Sequence, residues 1–151
     1  MKKVIALGII VLMVTGVASA ETKKKQTIAQ TQTVPLEEII AKKKAELNGT
    51  EWTVEMKPMG TKGKAETDVI SFAEDKVSSK NLGNLGYAPT NFTVRLEEDG
   101  TVIWETMQVS EKDGTAFWRG DIAPDGIMRG VLSKRDKKDN AYDFSFVSIS
   151  K

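Results

Sequence analysis

Residues 99–131 read DGTVIWETMQVSEKDGTAFWRGDIAPDGIMRGV and contain three Asp-Gly pairs, with large apolar and polar residues alternating between them. An x-Asp-Gly loop is typical of a three-residue β-hairpin connection, in which a type I turn precedes a glycine in the left-handed region. Alternation with a period of two predicts half-buried strands. The segment therefore predicts antiparallel strands joined by hairpins at 98–100, 112–114 and 124–126.

These loops also predict which residues share a face of the sheet. A three-residue loop places residue i opposite residue i+4, so even-numbered residues on one strand lie opposite even-numbered residues on the next. A two-residue loop near 73–75 reverses the parity and places Val77 opposite Phe72. The pairs predicted across the Asp-Gly turns are Val94 with Trp104, Gln108 with Trp118, Thr106 with Gly120, and Asp121 with Arg129. The large residues that then share the inner face are Trp52, Val54, Met56, Ile70, Phe72, Phe92, Val94, Leu96, Val102, Trp104, Trp118, Ile122, Met128, Leu132, Tyr142, Phe144 and Phe146.

The alternating runs define eight predicted strands, at about 51–57, 65–73, 76–82, 91–97, 101–110, 115–122, 127–135 and 142–150. Eight meandering strands with one apolar face close most simply into a barrel. The predicted fold class is all-β, an eight-stranded antiparallel up-and-down (meander) barrel, with a partly open barrel or two stacked sheets as the alternatives. An outer-membrane barrel is excluded because the opposite face carries charges such as Arg95, Glu105 and Arg119.

Three segments precede the barrel domain, residues 49–151. Residues 1–20 combine two early lysines, a short apolar run and Ala18-Ser19-Ala20, the pattern of a cleaved secretory signal peptide. The protein is therefore expected to be periplasmic or extracellular; an uncleaved anchor is the less favoured alternative. Residues 21–33 are polar and of low complexity, and they predict a disordered linker. No other segment is long and apolar enough to span a membrane, so no span is expected after cleavage.

Residues 34–48 predict one short amphipathic helix. Pro35 suits a first helical turn, and the acidic residues lie near the start of the segment while the lysines lie nearer its end. The apolar stripe consists of Leu36, Ile39, Ile40 and Leu47, and Lys43 lies in its middle. A helix this short needs another surface to lie against.

The composition excludes several kinds of site. Removing residues 1–20 takes away two of the 22 basic residues and none of the 21 acidic ones, leaving a formal net charge of −1. A near-neutral surface argues against nucleic acid as a partner. The absence of cysteine and histidine excludes disulfides, histidine-based triads and the usual ligand sets of zinc, haem and copper. The acidic loop 136–143 lacks the glycine and final glutamate of a calcium loop, so no metal or other cofactor is predicted.

A helix before eight antiparallel strands, with Gly49 shortly before Trp52 on the first strand, resembles the lipocalin-like (calycin-type) barrels. The segments TNFTV, FWRGDI, GIMRGVLSK and YDFSFV are similar to those of small secreted bacterial β-barrels of uncharacterised function, and the resemblance covers residues 47–151. The lipocalin-like barrels carry a basic residue near the end of the barrel that packs over the tryptophan; the last strand here has none before Lys151. The resemblance implies a barrel that encloses a small apolar ligand.

The first functional hypothesis is an exported, non-enzymatic barrel that binds a small, mostly apolar ligand through one open end. For the inward aromatic side chains, packing in the core is favoured over lining a ligand site. The inward polar residues either lie at the rim in water, as favoured for Asp68, or mark a polar pocket, because burial without partners costs a few kcal/mol. Tyr87 lies on the longest loop, 82–91, a candidate lid. The candidate ligand-binding residues are Trp104, Gln108, Trp118, Tyr142, Asp68 and Tyr87.

The alternative hypothesis is a filled-core interaction or structural module that acts through its outer face. An apolar patch of odd-numbered residues is predicted there, and such a patch needs a cover. The helix 34–48 is the favoured cover, and a homodimer or a protein partner is the alternative. The patch residues are Ile103, Met107, Val109, Phe117, Ile127 and Val131. An enzyme working through carboxylates such as Asp68 is the least favoured hypothesis, since no second inward carboxylate is convincing.

Overall fold

The structure is a computed structural model that describes residues 34–60 and 62–151. The predicted signal peptide and linker, residues 1–33, lie outside the described residues. The helices are α1, Leu36–Leu47, and α2, Lys80–Asn84. The strands are β1 Thr50–Pro58, β2 Glu66–Ala73, β3 Lys76–Ser79, β4 Thr90–Asn91, β5 Thr93–Leu96, β6 Val102–Ser110, β7 Gly114–Ile122, β8 Met128–Arg135 and β9 Ala141–Ser150.

These strands form one antiparallel sheet in the order β4-β3-β2-β1-β9-β8-β7-β6-β5. The two strands at its ends, β4 and β5, are consecutive in the chain, and only Phe92 separates them. The sheet therefore curls into a nearly closed up-and-down barrel. At the remaining break, the Thr106 hydroxyl on β6 donates to the Asn91 carbonyl oxygen at 2.7 Å and is hydrogen-bonded to the Thr90 hydroxyl at 2.8 Å.

The sheet has nine strands rather than the predicted eight. The predicted strand 91–97 is divided at Phe92, because β4 pairs with β3 whereas β5 pairs with β6. The predicted strand 76–82 ends at Ser79, whose hydroxyl accepts a hydrogen bond from the backbone N–H of Leu82 at 3.0 Å. Ser79 is thus the N-cap of α2, and this local hydrogen bond ends the strand.

Three of the four predicted hairpin registers are confirmed. The two-residue loop between β2 and β3 and the three-residue loops after β5 and β7 keep the inner face continuous from strand to strand. The confirmed pairs are Phe72 with Val77, Val94 with Trp104, and Asp121 with Arg129.

The register predicted between β6 and β7 was wrong by two residues. Thr106 lies opposite Trp118, Gln108 lies opposite Ala116, and Ser110 lies opposite Gly114. The hydroxyl of Ser110 accepts hydrogen bonds from the backbone N–H groups of residues 112 and 113, so the turn occupies 111–113. A shift by two preserves parity, and the inner face is therefore unchanged.

The even-numbered face forms the hydrophobic core, with Trp104 near its centre. The Trp104 ring centroid lies 5.1 Å from that of Phe72, edge to face, and 6.4 Å from that of Trp118, stacked at 29°. Such arrangements are the favoured ones for aromatic pairs. Tyr142, predicted to point into the core, is 49% exposed instead. It lies opposite Lys134, one residue pair from the end of the β8–β9 ladder, so it is at the rim.

Helix α1 lies against one end of the barrel. Its Leu47 is buried in the same core cluster as Trp52, and the Lys44 ammonium lies 5.0 Å from the ring centroid of the buried Phe92. The expectation that this helix covers the outer patch was wrong, because α1 lies at the barrel end with only Leu47 of its apolar stripe buried, and Met107 and Phe117 remain exposed. Within residues 34–60 and 62–151, no helix is long and apolar enough to cross a membrane.

Candidate functional site

The residues predicted to bind a ligand do not come together in one pocket. Trp104, Trp118 and Gln108 are buried inside the barrel, whereas Tyr142 is exposed at the rim. Asp68 and Tyr87 are both buried, each in its own set of hydrogen bonds. The prediction that Trp104, Trp118 and Gln108 face the interior is correct as regards their burial, and these side chains belong to the packed interior of the barrel.

Gln108 is 1% exposed, and both ends of its amide have partners. Its Nε2 donates to the Ala88 carbonyl oxygen at 2.9 Å, and its Oε1 accepts from the indole Nε1 of Trp118 at 3.0 Å. A buried amide with both ends hydrogen-bonded stabilises the fold. Gln108 therefore joins the loop 85–89 to the barrel wall and holds the Trp118 indole in place.

Asp68 does not lie at the rim in water, where it was expected, because it is 2% exposed. One carboxylate oxygen accepts from the backbone N–H groups of Val69 and Asn81, at 2.7 and 2.9 Å. The other accepts from the hydroxyl of Ser79. Asp68 thus stabilises the corner where β3 passes into α2, and both of its carboxylate oxygens have hydrogen-bond donors there.

Tyr87 closes the barrel at the end that carries α2. Its hydroxyl donates to the carbonyl oxygen of Asp113 at 2.8 Å, in the turn between β6 and β7. Burial raises the pKa of the Tyr87 phenol, and the nearby Asp113 carboxylate raises it further. The Ser110 hydroxyl also donates to the Leu85 carbonyl oxygen at 3.0 Å. The predicted lid loop is therefore hydrogen-bonded across this end by three side chains.

An apolar surface lies on the outside of β6, β7 and β8, and we call it the outer patch: Met107, Val109, Phe117 and Val131. Met107 and Phe117 are paired across neighbouring strands and are 58% and 42% exposed. Two residues that the sequence predicted to belong to it are excluded from this surface: Ile103 is 4% exposed, and Ile127 is half-buried. Charged residues border the patch, and among them Glu105 lies 3.4 Å from both Arg95 and Arg119.

Two clefts lie at the ends of the barrel. The first, about 550 Å³, lies between residues 83–86 and the turn residues 110–113. The second, about 310 Å³, lies between α1 and the turns that follow β5 and β7, and we call it the α1 cleft. None of the residues that line either cleft is Trp104, Trp118 or Gln108.

Sequence reasoning missed the α1 cleft. Its lining includes Lys43, Leu47, Trp52 and Lys151. The ammonium of Lys151 lies 4.8 Å from the ring centroid of Trp52, so a basic residue does pack over the tryptophan of the first strand. One signal was present in the sequence, because Lys43 interrupts the apolar stripe of α1 and is half-buried where it lines this cleft.

The acidic loop between β8 and β9 is held by its own hydrogen bonds. Asp136 accepts from the backbone N–H groups of Lys138 and Asn140, and hydrogen bonds with the Asn140 side chain and backbone lower its pKa most. In the described residues, no three His, Cys, Asp or Glu side chains are grouped as metal ligands. No protein-family model, curated protein or solved structure matches the chain.

Proposed function

We propose that the protein is an exported, non-catalytic barrel of lipocalin-like architecture that acts as an interaction module and binds a partner protein through the outer patch. The observation that carries the proposal is the exposure of Met107, Val109, Phe117 and Val131 on three adjacent strands. A contiguous exposed apolar surface is typical of an interaction site, and here α1 leaves it uncovered. Mixed charges at its border suit the polar rim of a protein interface.

The interior of the barrel supports this proposal over the carriage of an apolar ligand. Trp104, Trp118 and Phe146 pack against each other, with ring centroids 5.5 to 6.4 Å apart. A ligand that entered through the α2 end would have to break the hydrogen bonds of Gln108 and Tyr87. A ligand inside the barrel is therefore the second candidate, supported by the barrel architecture alone.

The other parts of the proposal rest on the sequence. The pattern of residues 1–20 supports export, and the absence of histidine and cysteine from the chain supports a non-catalytic role. Lipocalin-like architecture is supported by the nearly closed meander and by Lys151 over Trp52, with Gly49 just before β1.

Photocrosslinking in the exporting cell tests the function. A benzoylphenylalanine replaces Ser133, which is paired with Phe117 on the outer face. We expect a discrete crosslinked species whose mass gives the partner. The species should disappear when Phe117→Lys is added, because a charge there opposes burial of the patch. Phe117 points outward, so this substitution should change the free energy of unfolding by less than about 1 kcal/mol.

The matched control places the same crosslinker at Ser71, a partly exposed serine on the outer face of β2. We expect no discrete species from that position. Equal crosslinking from Ser71 and Ser133, or none from Ser133, would show that the patch binds no protein partner.

A further inference from the structure

The α1 cleft combines an apolar wall with lysine side chains at the surface of the barrel end. We propose that it is a binding site for a small amphipathic carboxylate, the class to which a medium-chain fatty acid such as octanoate belongs. The hydrocarbon chain would lie along the apolar wall, and the carboxylate would pair with the ammonium groups of Lys43 and Lys151. This site is separate from the outer patch and from the barrel interior.

The apolar wall is formed by side chains from three parts of the fold. Leu47 comes from the last turn of α1, Trp52 from β1, and Val102 and Ile122 from β6 and β7. The first three are nearly buried, and Ile122 is half-buried and packs against the core. Covering their remaining exposed area with a hydrocarbon chain is favourable, by about 25 cal/mol for each Å² removed from water.

The charges of the cleft favour an anion. Its ionisable lining side chains are Lys43, Lys151 and Glu46. Glu46 accepts a hydrogen bond from the Lys43 ammonium at 2.9 Å. This bond, followed by the positive charges of Lys43, Lys42 and Lys151, lowers the pKa of Glu46 although desolvation opposes the shift. The same positive charges would attract the carboxylate of a ligand, which would compete with the Glu46 carboxylate for the Lys43 ammonium.

The size of the cleft limits the ligand. A volume of about 310 Å³ is at the lower end of the range for small-molecule sites. It suits a short or medium chain with one charged group. The larger cleft at the α2 end is a poorer place for an anion, because the carboxylates of Glu111 and Asp113 line it with a single lysine, Lys112.

Titration of the ¹⁵N-labelled protein with octanoate tests the site, because its three tryptophans report on different places. The indole N–H of Trp52, which donates to the Thr50 hydroxyl, lies by the cleft, whereas Trp104 and Trp118 lie in the core. We expect a saturable shift of the Trp52 indole cross-peak, with those of Trp104 and Trp118 unchanged. Uncharged 1-octanol should bind more weakly than octanoate.

Substitutions of the charged groups sharpen the test. Glu46→Gln removes the competing carboxylate and should tighten octanoate binding by about 1.5-fold to fivefold, the range for exposed charge pairs. Lys43→Met and Lys151→Met should each weaken it by a similar factor. The matched control is Lys138→Met, which removes an exposed lysine at the other end of the barrel and should leave the dissociation constant unchanged.

Three results would overturn the proposal. One is the absence of a saturable shift at Trp52. A second is movement of the Trp104 or Trp118 cross-peaks, which would place the ligand in the barrel interior. The third is an unchanged affinity in Glu46→Gln, which would show that the lysines do not bind the carboxylate. Glu46 is exposed, so this variant is expected to fold normally.

Discussion

Gly120 lies directly opposite Trp104 on the inner face, and a Cβ atom at this position would overlap the indole ring. Gly130 is paired with Gly120 and lies under Phe146 in the same way. Glycine weakens a strand by itself, but here it provides the space that two core aromatic rings occupy. The Trp104 indole Nε1 has no hydrogen-bond partner among the described residues. Packing against the glycines therefore holds this ring.

At this residue scale, we expect Gly120→Ala to lower the free energy of unfolding by about 1–3 kcal/mol. The added methyl group overpacks the core and displaces the Trp104 indole. Denaturant unfolding followed by tryptophan fluorescence measures the loss.

The matched control for this prediction is Gly83→Ala in α2, where an added Cβ meets nothing within 4 Å. It should be neutral or stabilising by up to about 1 kcal/mol, because alanine reduces the entropy of the unfolded chain. Equal stability of Gly120→Ala and the unsubstituted protein would show that the contact with Trp104 relaxes without cost.

The inward polar residues show what can be predicted for single positions. Parity alone places Asp68 and Gln108 on the inner face, and both are buried. Their partners could not be predicted, because Asn81 and Ala88 belong to α2 and an irregular loop. The alternation of apolar and polar residues predicts which side chains of a strand face inward, but it does not predict which loop or helix packs against them.

At the scale of elements, the x-Asp-Gly turns after β5 and β7 are closed by their aspartates. Asp99 accepts from the backbone N–H of Thr101 at 2.9 Å, and Asp125 accepts from that of Ile127 at 2.8 Å. These backbone hydrogen bonds are the main reason why the pKa of each carboxyl lies below its ordinary value. Hydrogen bonds to the ionised form favour it.

Because of these two turn aspartates, the free energy of unfolding of the barrel should depend on pH under acidic conditions. A lowered folded-state pKa means that the stabilisation is present above the ordinary aspartate pKa of about 3.9, and is lost as the pH falls through the folded value. We expect the free energy of unfolding to decrease between about pH 5 and pH 2. In Asp125→Asn the amide oxygen still accepts from Ile127 but does not titrate, so the decrease should be smaller.

Denaturant midpoints measured across this pH range provide the test. Glu98→Gln is the control, since it removes an exposed carboxylate of the first turn and leaves the hydrogen bond to Thr101 intact. The decrease in this control should match that of the unsubstituted protein. A decrease equally steep in Asp125→Asn would show that the turn aspartate is not its source.

The β6–β7 hairpin shows why one register escaped prediction. Its KDG sequence resembles the other two turns, yet Ser110 hydrogen-bonds the backbone of the loop and moves the turn by one residue. Gly114 then begins β7, where a Cβ atom would overlap the Arg135 carbonyl oxygen. The choice between two registers of equal parity depends on these contacts, which a hydrophobic pattern does not contain.

At the scale of the whole molecule, closure of the barrel depends on the chain around Phe92. Before this residue β4 pairs with β3, and after it β5 pairs with β6. The Thr106 hydroxyl bridges this place by bonding both Asn91 and Thr90. Thr106 is nearly fully buried, so loss of its hydroxyl would leave the Asn91 carbonyl oxygen without this donor.

We expect Thr106→Val, which keeps the shape of the side chain, to lower the free energy of unfolding by about 1–3 kcal/mol. Amide hydrogen exchange should become faster in β3 and β4, while exchange in β7 and β8 changes only with global stability. The matched control is Thr93→Val, an exposed threonine on the outer face of β5, which should have little effect. Uniform acceleration over all strands would contradict a local role in closure.

The sequence by itself determined that this chain is an antiparallel meander and which residues face inward, because strand alternation and turn length are local properties. It also indicated the helix, whose observed bounds are 36–47. Only the tertiary structure decided how the aromatic rings pack against one another inside the barrel, that α1 lies at one end and leaves Met107 and Phe117 exposed, and that Lys43 and Lys151 line one cleft. These features depend on contacts between residues far apart in the chain, and their geometry is set by packing rather than by pattern.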